Sequence, residues 1–264
     1  MKILDGKELA GFIKERQATE VRSFFKKPKL LIIRDSENPV IKKYVDLKIR
    51  YGDDIGVTVE DFYAKNPDEI AEKIKSANQD QNTHGIIIQL PLLDKEKTDS
   101  LVNLINPEKD VDGLSENSHY DSATATAILW LLTGYDIKLE NQKIALVGRG
   151  KLVGMPLFKM FKASNYDVEI FHRGSDLTKL KNFDIIISAT GVPGLISDDY
   201  VKPGAVLVDA GTASEKGVIK GDLDEKIRER KDLFAITPKL GGVGPLTVTC
   251  LFDHLLQAFK AQSK

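Results

Sequence analysis

The sequence predicts an α/β protein made of two parallel-sheet units. Short apolar runs recur, as in Lys29-Leu-Leu-Ile-Ile33 and Gly85-Ile-Ile-Ile-Gln89, which read as strands buried on both faces. Stretches of helical length separate them, the alternation of a parallel sheet covered by helices. The alternation pauses at Gly134 to Gln142 and restarts at Lys143-Ile-Ala-Leu-Val147, so the boundary falls there.

Taken in order, Leu9, Phe12, Ile13, Val21 and Phe24 mark one face of an opening helix. Lys29 to Ile33 is a strand, residues 40–55 a helix, Val57 to Tyr63 a strand and Asp68 to Ala77 a helix. Gly85 to Gln89 is the next strand, and Pro91 ends it because proline has no N–H for the ladder. A helix near 96–105 precedes Asn106-Pro-Glu-Lys-Asp-Val-Asp-Gly113, and one from about Thr124 to Leu132 stops at Thr133-Gly134. Strands then follow at Lys143 to Val147, Asp167 to Phe171, Asp184 to Ser188 and Ala205 to Asp209, with helices between them. Phe234 to Ile236 is the last strand. Pro245 suits the first turn of a closing helix that runs to about Ala261. A crevice between two such units is the default place for a ligand.

The 264 residues carry a net charge of −1, which gives no sign of a nucleic-acid partner or an anionic membrane surface. One cysteine, Cys250, excludes an internal disulfide and fits a reducing compartment. It lies among Leu246, Val248, Leu251 and Leu255, where packing is its role. No stretch has the length of a membrane span or the form of a signal peptide, so the expected location is cytoplasmic. His84, His119, His172 and His254 are scattered, no metal-ligand spacing occurs, and no metal is expected.

"GRGKLVGMP", residues 148–156, follows a buried strand and precedes a helix. Glycines there let the backbone approach a pyrophosphate at a helix N-terminus. The spacing G-x-G-x-x-x-G is one residue longer than the dinucleotide fingerprint, and a glycine-rich turn has the same composition. Position between strand and helix favours the nucleotide. The following strand, Asp167 to Phe171, leads into His172-Arg173-Gly174-Ser175 with no carboxylate for a ribose 2′-hydroxyl. Arg149 and Arg173 are placed to pair with a 2′-phosphate, which points to NADP over NAD.

Four polar residues of the first half are candidates for chemistry. Tyr44 and Lys48 are four apart on one helix face, Gln89 closes a buried strand at its carboxyl end, and Asp112 precedes a turn glycine beside Asp110. Each alone has a plainer reading: a core edge, a solvated lysine, a strand end, a turn former. Spacing does not explain their joint occurrence.

"YVDLKIRYGDDIGV", "HGIIIQLPL", "INPEKDVDGL", "LVGRGKLVGMP", "VKPGAVLVDAG" and "ITPKLGGVGPLTV" occur in an order and spacing that resemble the bifunctional methylenetetrahydrofolate dehydrogenase/methenyltetrahydrofolate cyclohydrolase family from end to end. The resemblance implies an N-terminal α/β catalytic domain over 1–135, a Rossmann-like NADP-binding domain over 136–245, and a C-terminal helix, 246–264, returning to the first domain. It implies oxidation of 5,10-methylenetetrahydrofolate to the methenyl cation and hydrolysis of that product to 10-formyltetrahydrofolate, in one-carbon metabolism. Lys48 matches the catalytic lysine, Gln89 its hydrogen-bonding partner, Tyr44 the residue stacked on the aminobenzoyl ring and Asp112 the pterin anchor. Asp110 is structural. Leu90, Pro91, Gly241, Gly242 and Pro245 complete the folate side. Gly148, Arg149, Gly150, Val153, Gly154, Pro156, Arg173, Thr190, Gly191 and Thr247 form the cofactor side. Tetrahydrofolate derivatives are the expected partners, and a homodimer the expected assembly.

The family loop reads G-R-S-x-x-V-G-x-P, so the extra residue belongs to the family and Gly150 stands for its serine. Arg173 replaces a serine near the 2′-phosphate, Ile41 a serine before Tyr44, Leu93 and Leu240 prolines, and Ser122 to Ala125 the motif P-C-T-P, with Thr124 retained. None of these removes Lys48, Gln89, Tyr44 or Asp112. Two other readings stay open: a dehydrogenase without the hydrolytic step, and a folate- or nucleotide-binding homologue without turnover.

Overall fold

The structure, a computed structural model, describes residues 1–211, 213–215 and 218–263, with the backbone alone for 213–215, 218 and 219. In chain order the elements are β1 (Lys2–Ile3), α1 (Gly6–Arg22), β2 (Lys29–Arg34), α2 (Pro39–Ile55), β3 (Thr58–Tyr63), α3 (Pro67–Gln79), β4 (Gly85–Ile88), α4 (Thr98–Val102) and α5 (Ala123–Gly134). There follow β5 (Lys143–Val147), α6 (Gly154–Ala163), β6 (Asp167–Phe171), β7 (Ile185–Ser188), β8 (Val206–Asp209), β9 (Ala213–Glu215), β10 (Val218–Lys220), α7 (Glu225–Glu229), β11 (Ala235–Ile236) and α8 (Val243–Gln262). The chain forms two compact units, one of Gly11–Ala123 and Val248–Lys264, the other of Met1–Ala10 and Thr124–Thr247.

The first unit is built on a three-stranded parallel sheet in the order β3-β2-β4. β2 is central, and Leu30 to Arg34 are all buried, as its continuous apolar run requires. β3, with the polar sequence TVEDFY, takes an edge. β4 takes the other edge yet is wholly buried, because Asp110 bridges to Ile86 and covers it. Ile70 and Ile74 of α3 close over Leu31, Ile33, Ile86 and Ile88 in one core. Asn66 and Pro67 start α3 as cap and first residue: the Asn66 side chain accepts from Glu69 N–H at 2.9 Å, and the Glu69 carboxylate accepts from Lys65 N–H at 2.9 Å.

The second unit holds a six-stranded parallel sheet in the order β6-β5-β7-β8-β11-β1. The strand order reverses at β5, so the loops leaving β5 and β7 lie side by side at the carboxyl ends, the switch point of an open α/β sheet. The unit also contains the antiparallel pair β9–β10 and an isolated parallel bridge between Ile196 and Leu223.

Several expectations shift. Lys2 and Ile3, expected in the first domain, pair with Ala235 and Ile236 in the six-stranded sheet, and the compact units divide between Ala123 and Thr124. A two-residue strand paired to a partner far along the chain leaves no periodic signal. Phe12, expected on the inner face of α1, is 66% exposed; Val21 is buried as expected, together with Ala10 and Gln17. The helix near 96–105 is a 3-10 turn at Lys95–Lys97 followed by the short α4. Between β6 and β7, and between β7 and β8, only 3-10 turns occur, at Leu177–Asn182 and Asp198–Tyr200.

Candidate active site

Lys48 lies on α2, whose buried residues include Ile41, Val45, Gly52 and Ile55. The steps 41-45-48-52-55 are those of a single helix stripe, so Lys48 occupies a position where an apolar residue belongs. Asn38 caps the helix by accepting from Val40 N–H at 2.8 Å, Pro39 supplies its first turn, and Gly56, at φ 86°, closes it in the left-handed conformation. These fix where the stripe points. Tyr44, one turn earlier, is half-buried.

Gln89 follows β4 directly, its N–H donating to Ile33 O at 2.8 Å. Its carboxamide is oriented by two bonds. Nε2 donates to Leu90 O at 3.1 Å, and Oε1 accepts from Lys48 Nζ at 2.7 Å. Leu90 is half-buried, Pro91 is exposed, and the peptide between them is cis.

Asp112 sits in a turn whose other residues are pinned. Lys109, buried, donates to the carbonyls of Ala77, Asn78 and Asp80 at 3.0, 3.1 and 2.8 Å and so closes the end of α3. Asp110 Oδ2 accepts from Leu114 N–H, Ser115 N–H and the Ser115 hydroxyl at 3.0, 2.7 and 2.7 Å. Val111 O is 2.9 Å from His254 Nδ1, and Asp112 O accepts from Ala123 N–H at 3.0 Å. His254, buried on α8 with its titration pushed down by burial, is a support that scattered histidines did not reveal. Cys250 Sγ lies 3.8 Å from its Nε2, in keeping with a packing role.

Lys48 and Asp112 perturb one another. Desolvation pushes the Lys48 amine below its ordinary value, and the negative charge of Asp112 opposes this without overcoming it. Desolvation pushes the Asp112 carboxyl up to about 6, against the pull of Lys48 and with the charge of Asp110 adding to the rise. Both residues keep partial exposure overall, so the effect belongs to their enclosed charged ends. A free lysine is neutral in roughly one copy in a few thousand at pH 7, and each unit of lowering raises that fraction about tenfold. The pair therefore holds an amine with base character beside a carboxyl poised near neutrality.

In the second unit, Gly148 follows β5 with φ 111°, and its N–H donates to Phe171 O at 2.8 Å. A Cβ on Gly148 would lie 2.6 Å from Ala189 O, and one on Gly154 2.0 Å from Gly148 O, so the loop folds tightly on itself and against the β7 loop. Around Gly150 nothing lies within 4 Å, so the serine usual there has room. α6 begins after the half-buried Val153 without a side-chain cap, and Pro156 stands in its first turn. Val147 pairs with Phe171, which puts Arg149 and Arg173 each two residues beyond one register position; both are exposed. Thr190 Oγ1 accepts from Val192 N–H at 3.2 Å, Gly191 has φ 68°, and Thr247 Oγ1 donates to Val243 O at 3.3 Å. This cradle fits a dinucleotide: tight glycines, a helix start and two exposed guanidinium groups.

The structure thus brings Tyr44, Lys48, Gln89, Leu90, Pro91 and Asp112 into one unit. Gly241, Gly242 and Pro245 belong to the other, with Lys7 N–H donating to Gly241 O at 2.9 Å. Among the described residues no cluster of His, Cys, Asp and Glu suits a metal ion, and no helix is long and apolar enough to cross a membrane.

A parallel sheet with a glycine loop at its switch point in one unit, and a smaller sheet with a desolvated lysine on its helix α2 in the other, define a two-domain α/β protein of the dinucleotide-binding class. Residues 4–112 match the family model of the tetrahydrofolate dehydrogenase/cyclohydrolase catalytic domain, and residues 122–263 that of the NAD(P)-binding domain of the same family. The chain is 36% identical over 277 residues to the bifunctional protein FolD of Hydrogenobaculum sp., covering 98% of this chain and 99% of that one. It is 34% identical over 278 residues to the bifunctional protein FolD of Staphylococcus aureus (strain Newman), covering 98% and 96%. Its structure is similar to the crystal structure of the bifunctional FolD from Campylobacter jejuni, with a TM-score of 0.92 at 30% identity over 99% of each chain. It is also similar to the Trypanosoma brucei FolD complexed with NADP cofactor and inhibitor, with a TM-score of 0.90 at 26% identity over 99% and 98%. The chain belongs to the tetrahydrofolate dehydrogenase/cyclohydrolase family.

Proposed function

We propose that this protein oxidises 5,10-methylenetetrahydrofolate with NADP and hydrolyses the methenyl product to 10-formyltetrahydrofolate. The observation that carries the reading is the 2.7 Å bond from a desolvated Lys48 to Gln89, in a chain of this family. NADP, when bound, accepts the hydride that leaves the one-carbon bridge. Lys48, in its neutral form, takes a proton from the water that adds to the bridge carbon, a contribution of ~10²–10⁴-fold for general base catalysis. Gln89 holds the amine in line. Asp112 anchors the pterin by accepting two parallel hydrogen bonds, each on the order of 1.5–3 kcal/mol when charged. Tyr44 stacks on the aminobenzoyl ring, and Leu90, Pro91, Gly241, Gly242 and Pro245 line the folate.

On the cofactor side, Gly148, Gly150, Val153, Gly154 and Pro156 form the loop that takes the pyrophosphate. Arg149 and Arg173 pair with the 2′-phosphate and select NADP over NAD. Thr190, Gly191 and Thr247 complete that side. A homodimer in the cytoplasm belongs to the same reading, and sedimentation of the purified chain tests the dimer.

Coupled absorbance assays test the activity. NADPH formation together with decay of the methenyl chromophore is the expected result. NADPH formation with the methenyl product accumulating leaves a dehydrogenase alone, and neither signal refutes the reading.

A further inference from the structure

The loop that leaves β7 is held from beneath by a carboxylate outside every role given above. Asp222 is fully buried, and its Oδ2 accepts from the Ser188 hydroxyl and from the Thr190 N–H, both at 2.7 Å. Ala189 and Thr190 form the wall on which Gly148 packs: a Cβ there would meet Ala189 O at 2.6 Å and Thr190 Cγ2 at 3.3 Å. Where Thr190 sits therefore decides whether the first glycine of the dinucleotide loop keeps its place.

Asp222 is itself tightly fixed. Its N–H donates to Asp209 Oδ1 at 3.0 Å, and Asp209 also accepts from Gly211 N–H at 3.2 Å, Leu223 N–H at 3.3 Å and Arg228 Nη2 at 2.8 Å. Arg228 Nη1 donates to Thr237 O at 3.0 Å, and the Thr237 hydroxyl accepts from Asp209 N–H at 2.9 Å. Ser188 ends β7, Asp209 ends β8 and Thr237 follows β11, so one polar network ties three neighbouring strand ends together. The two carboxylates each abut a glycine. A Cβ on Gly211 would lie 2.0 Å from Asp222 Oδ1, and one on Gly221 2.0 Å from Asp209 Oδ2.

As a device for stability alone this network is a poor choice. Of two buried carboxylates only Asp209 meets a guanidinium among the described residues, and apolar side chains of the same volume generally stabilise as well or better. Burial also pushes the Asp209 carboxyl up, with the charge of Asp222 adding to it. What the network supplies is a fixed acceptor at one place, under one backbone N–H.

We propose that Asp222 is a positioning residue for the dinucleotide: it grips the Thr190 N–H and holds the β7 loop against Gly148, while Asp209, itself held by Arg228, fixes the backbone of Asp222. The proposal rests on the reading of this loop as the NADP site.

Calorimetric titration of NADP into the whole protein tests it, with hydrolysis of 5,10-methenyltetrahydrofolate as the reference, since Lys48, Gln89 and Asp112 lie in the other unit. Asp222→Ala is expected to weaken NADP binding roughly 10- to 100-fold, the size of one charge-assisted hydrogen bond. Its hydrolysis rate should stay within about twofold. Asp222→Asn, which keeps an acceptor oxygen, should bind NADP within about threefold of wild type. Gly211→Ala pushes on Asp222 without removing it and should weaken NADP binding about tenfold; it decides the matter should Asp222→Ala fail to fold. Unchanged NADP binding in folded Asp222→Ala or Gly211→Ala overturns the proposal. So does an equal loss of NADP binding and hydrolysis, which means general damage to the fold. A wild-type protein that binds no NADP overturns the functional reading along with it, whereas wild-type and Asp222→Ala proteins that bind equally overturn this inference alone.

Discussion

Lys48 Nζ donates to Gln89 Oε1 at 2.7 Å, and the amide end of Gln89 is occupied by Leu90 O, so the carboxamide is held with its oxygen toward the lysine. A neutral amine in this arrangement gives one N–H to Gln89 and keeps its lone pair for a proton. An ammonium makes the same bond but has no lone pair. Geometry alone leaves the two equal, and desolvation, the larger influence on Lys48, lowers its pKa and so raises the share of the amine.

Two substitutions separate positioning from base chemistry. Lys48→Arg still donates to Gln89 but stays charged at any working pH. Lys48→Met loses both properties. Each is expected to lower methenyl hydrolysis by ~10²–10⁴-fold, with folate binding within a few-fold of wild type. Stopped-flow hydrolysis and equilibrium folate titration measure the two quantities, and Lys48→Arg with near-normal hydrolysis removes the base from the scheme.

Asp112 sets a pH dependence whose sign follows from its shift. Its carboxyl titrates at about 6 in the folded protein against an ordinary 3.8. Between those values the folded chain keeps a proton that the unfolded chain has released. Stability is therefore lost as pH rises through this window, and the loss is complete above about 6. The shift corresponds to at most about 3 kcal/mol, shared with Lys48. Asp112→Asn should accordingly be more stable than wild type at pH 8, with a smaller difference at pH 4, as read by urea unfolding. The charge of Asp112 also holds the Lys48 pKa up, so the same variant should move the limb of the hydrolysis profile that belongs to Lys48 toward lower pH. A limb that stays in place would show that the two groups do not interact.

The strands were legible because buried parallel strands are continuous apolar runs: β2, β4, β5 and β7 fall within a residue or so of their predicted limits. β1 was not, since its two residues owe their strand form to Ala235 and Ile236, which no local pattern encodes. Lys48 carried more signal than its pairing with Tyr44, for it interrupts the stripe Ile41, Val45, Gly52, Ile55, and a charged residue on an inner face asks for a reason. Asp222 left no trace, because the residues it binds, Ser188 and Thr190, lie more than thirty positions earlier.

In the proposed reading cofactor choice rests on the exposed Arg149 and Arg173, and it should then be sensitive to salt. Arg173 stands two residues past the end of β6, where Arg149 stands past β5, and no carboxylate takes the place that favours NAD. Arg173→Ser should raise the KM for NADP roughly tenfold, the lower end for a charge-assisted bond, and leave the KM for NAD unchanged. The gap between the variant and the wild type should narrow as potassium chloride is raised. Equal changes for both cofactors would show that Arg173 contacts something other than the 2′-phosphate.

Gly150 and Gly154 sit four residues apart in one loop, and their surroundings demand opposite outcomes. Around Gly150 there is open space, so Gly150→Ser restores the residue usual for the family without a clash, and NADP binding should stay within about threefold. At Gly154 a Cβ would stand 2.0 Å from the backbone oxygen of Gly148, which cannot rotate away as a side chain would. Gly154→Ala must therefore move the loop or the start of α6, at a cost of about 1–3 kcal/mol for overpacking. That movement opens the turn in which Gly148 holds its left-handed φ and displaces the N–H groups proposed to bind the pyrophosphate. NADP binding should fall at least tenfold, with a lower melting temperature. Methenyl hydrolysis should persist, because Lys48, Gln89 and Asp112 lie in the other unit. The comparison isolates loop geometry from composition: both variants remove one glycine, and only the one whose Cβ meets backbone is expected to fail.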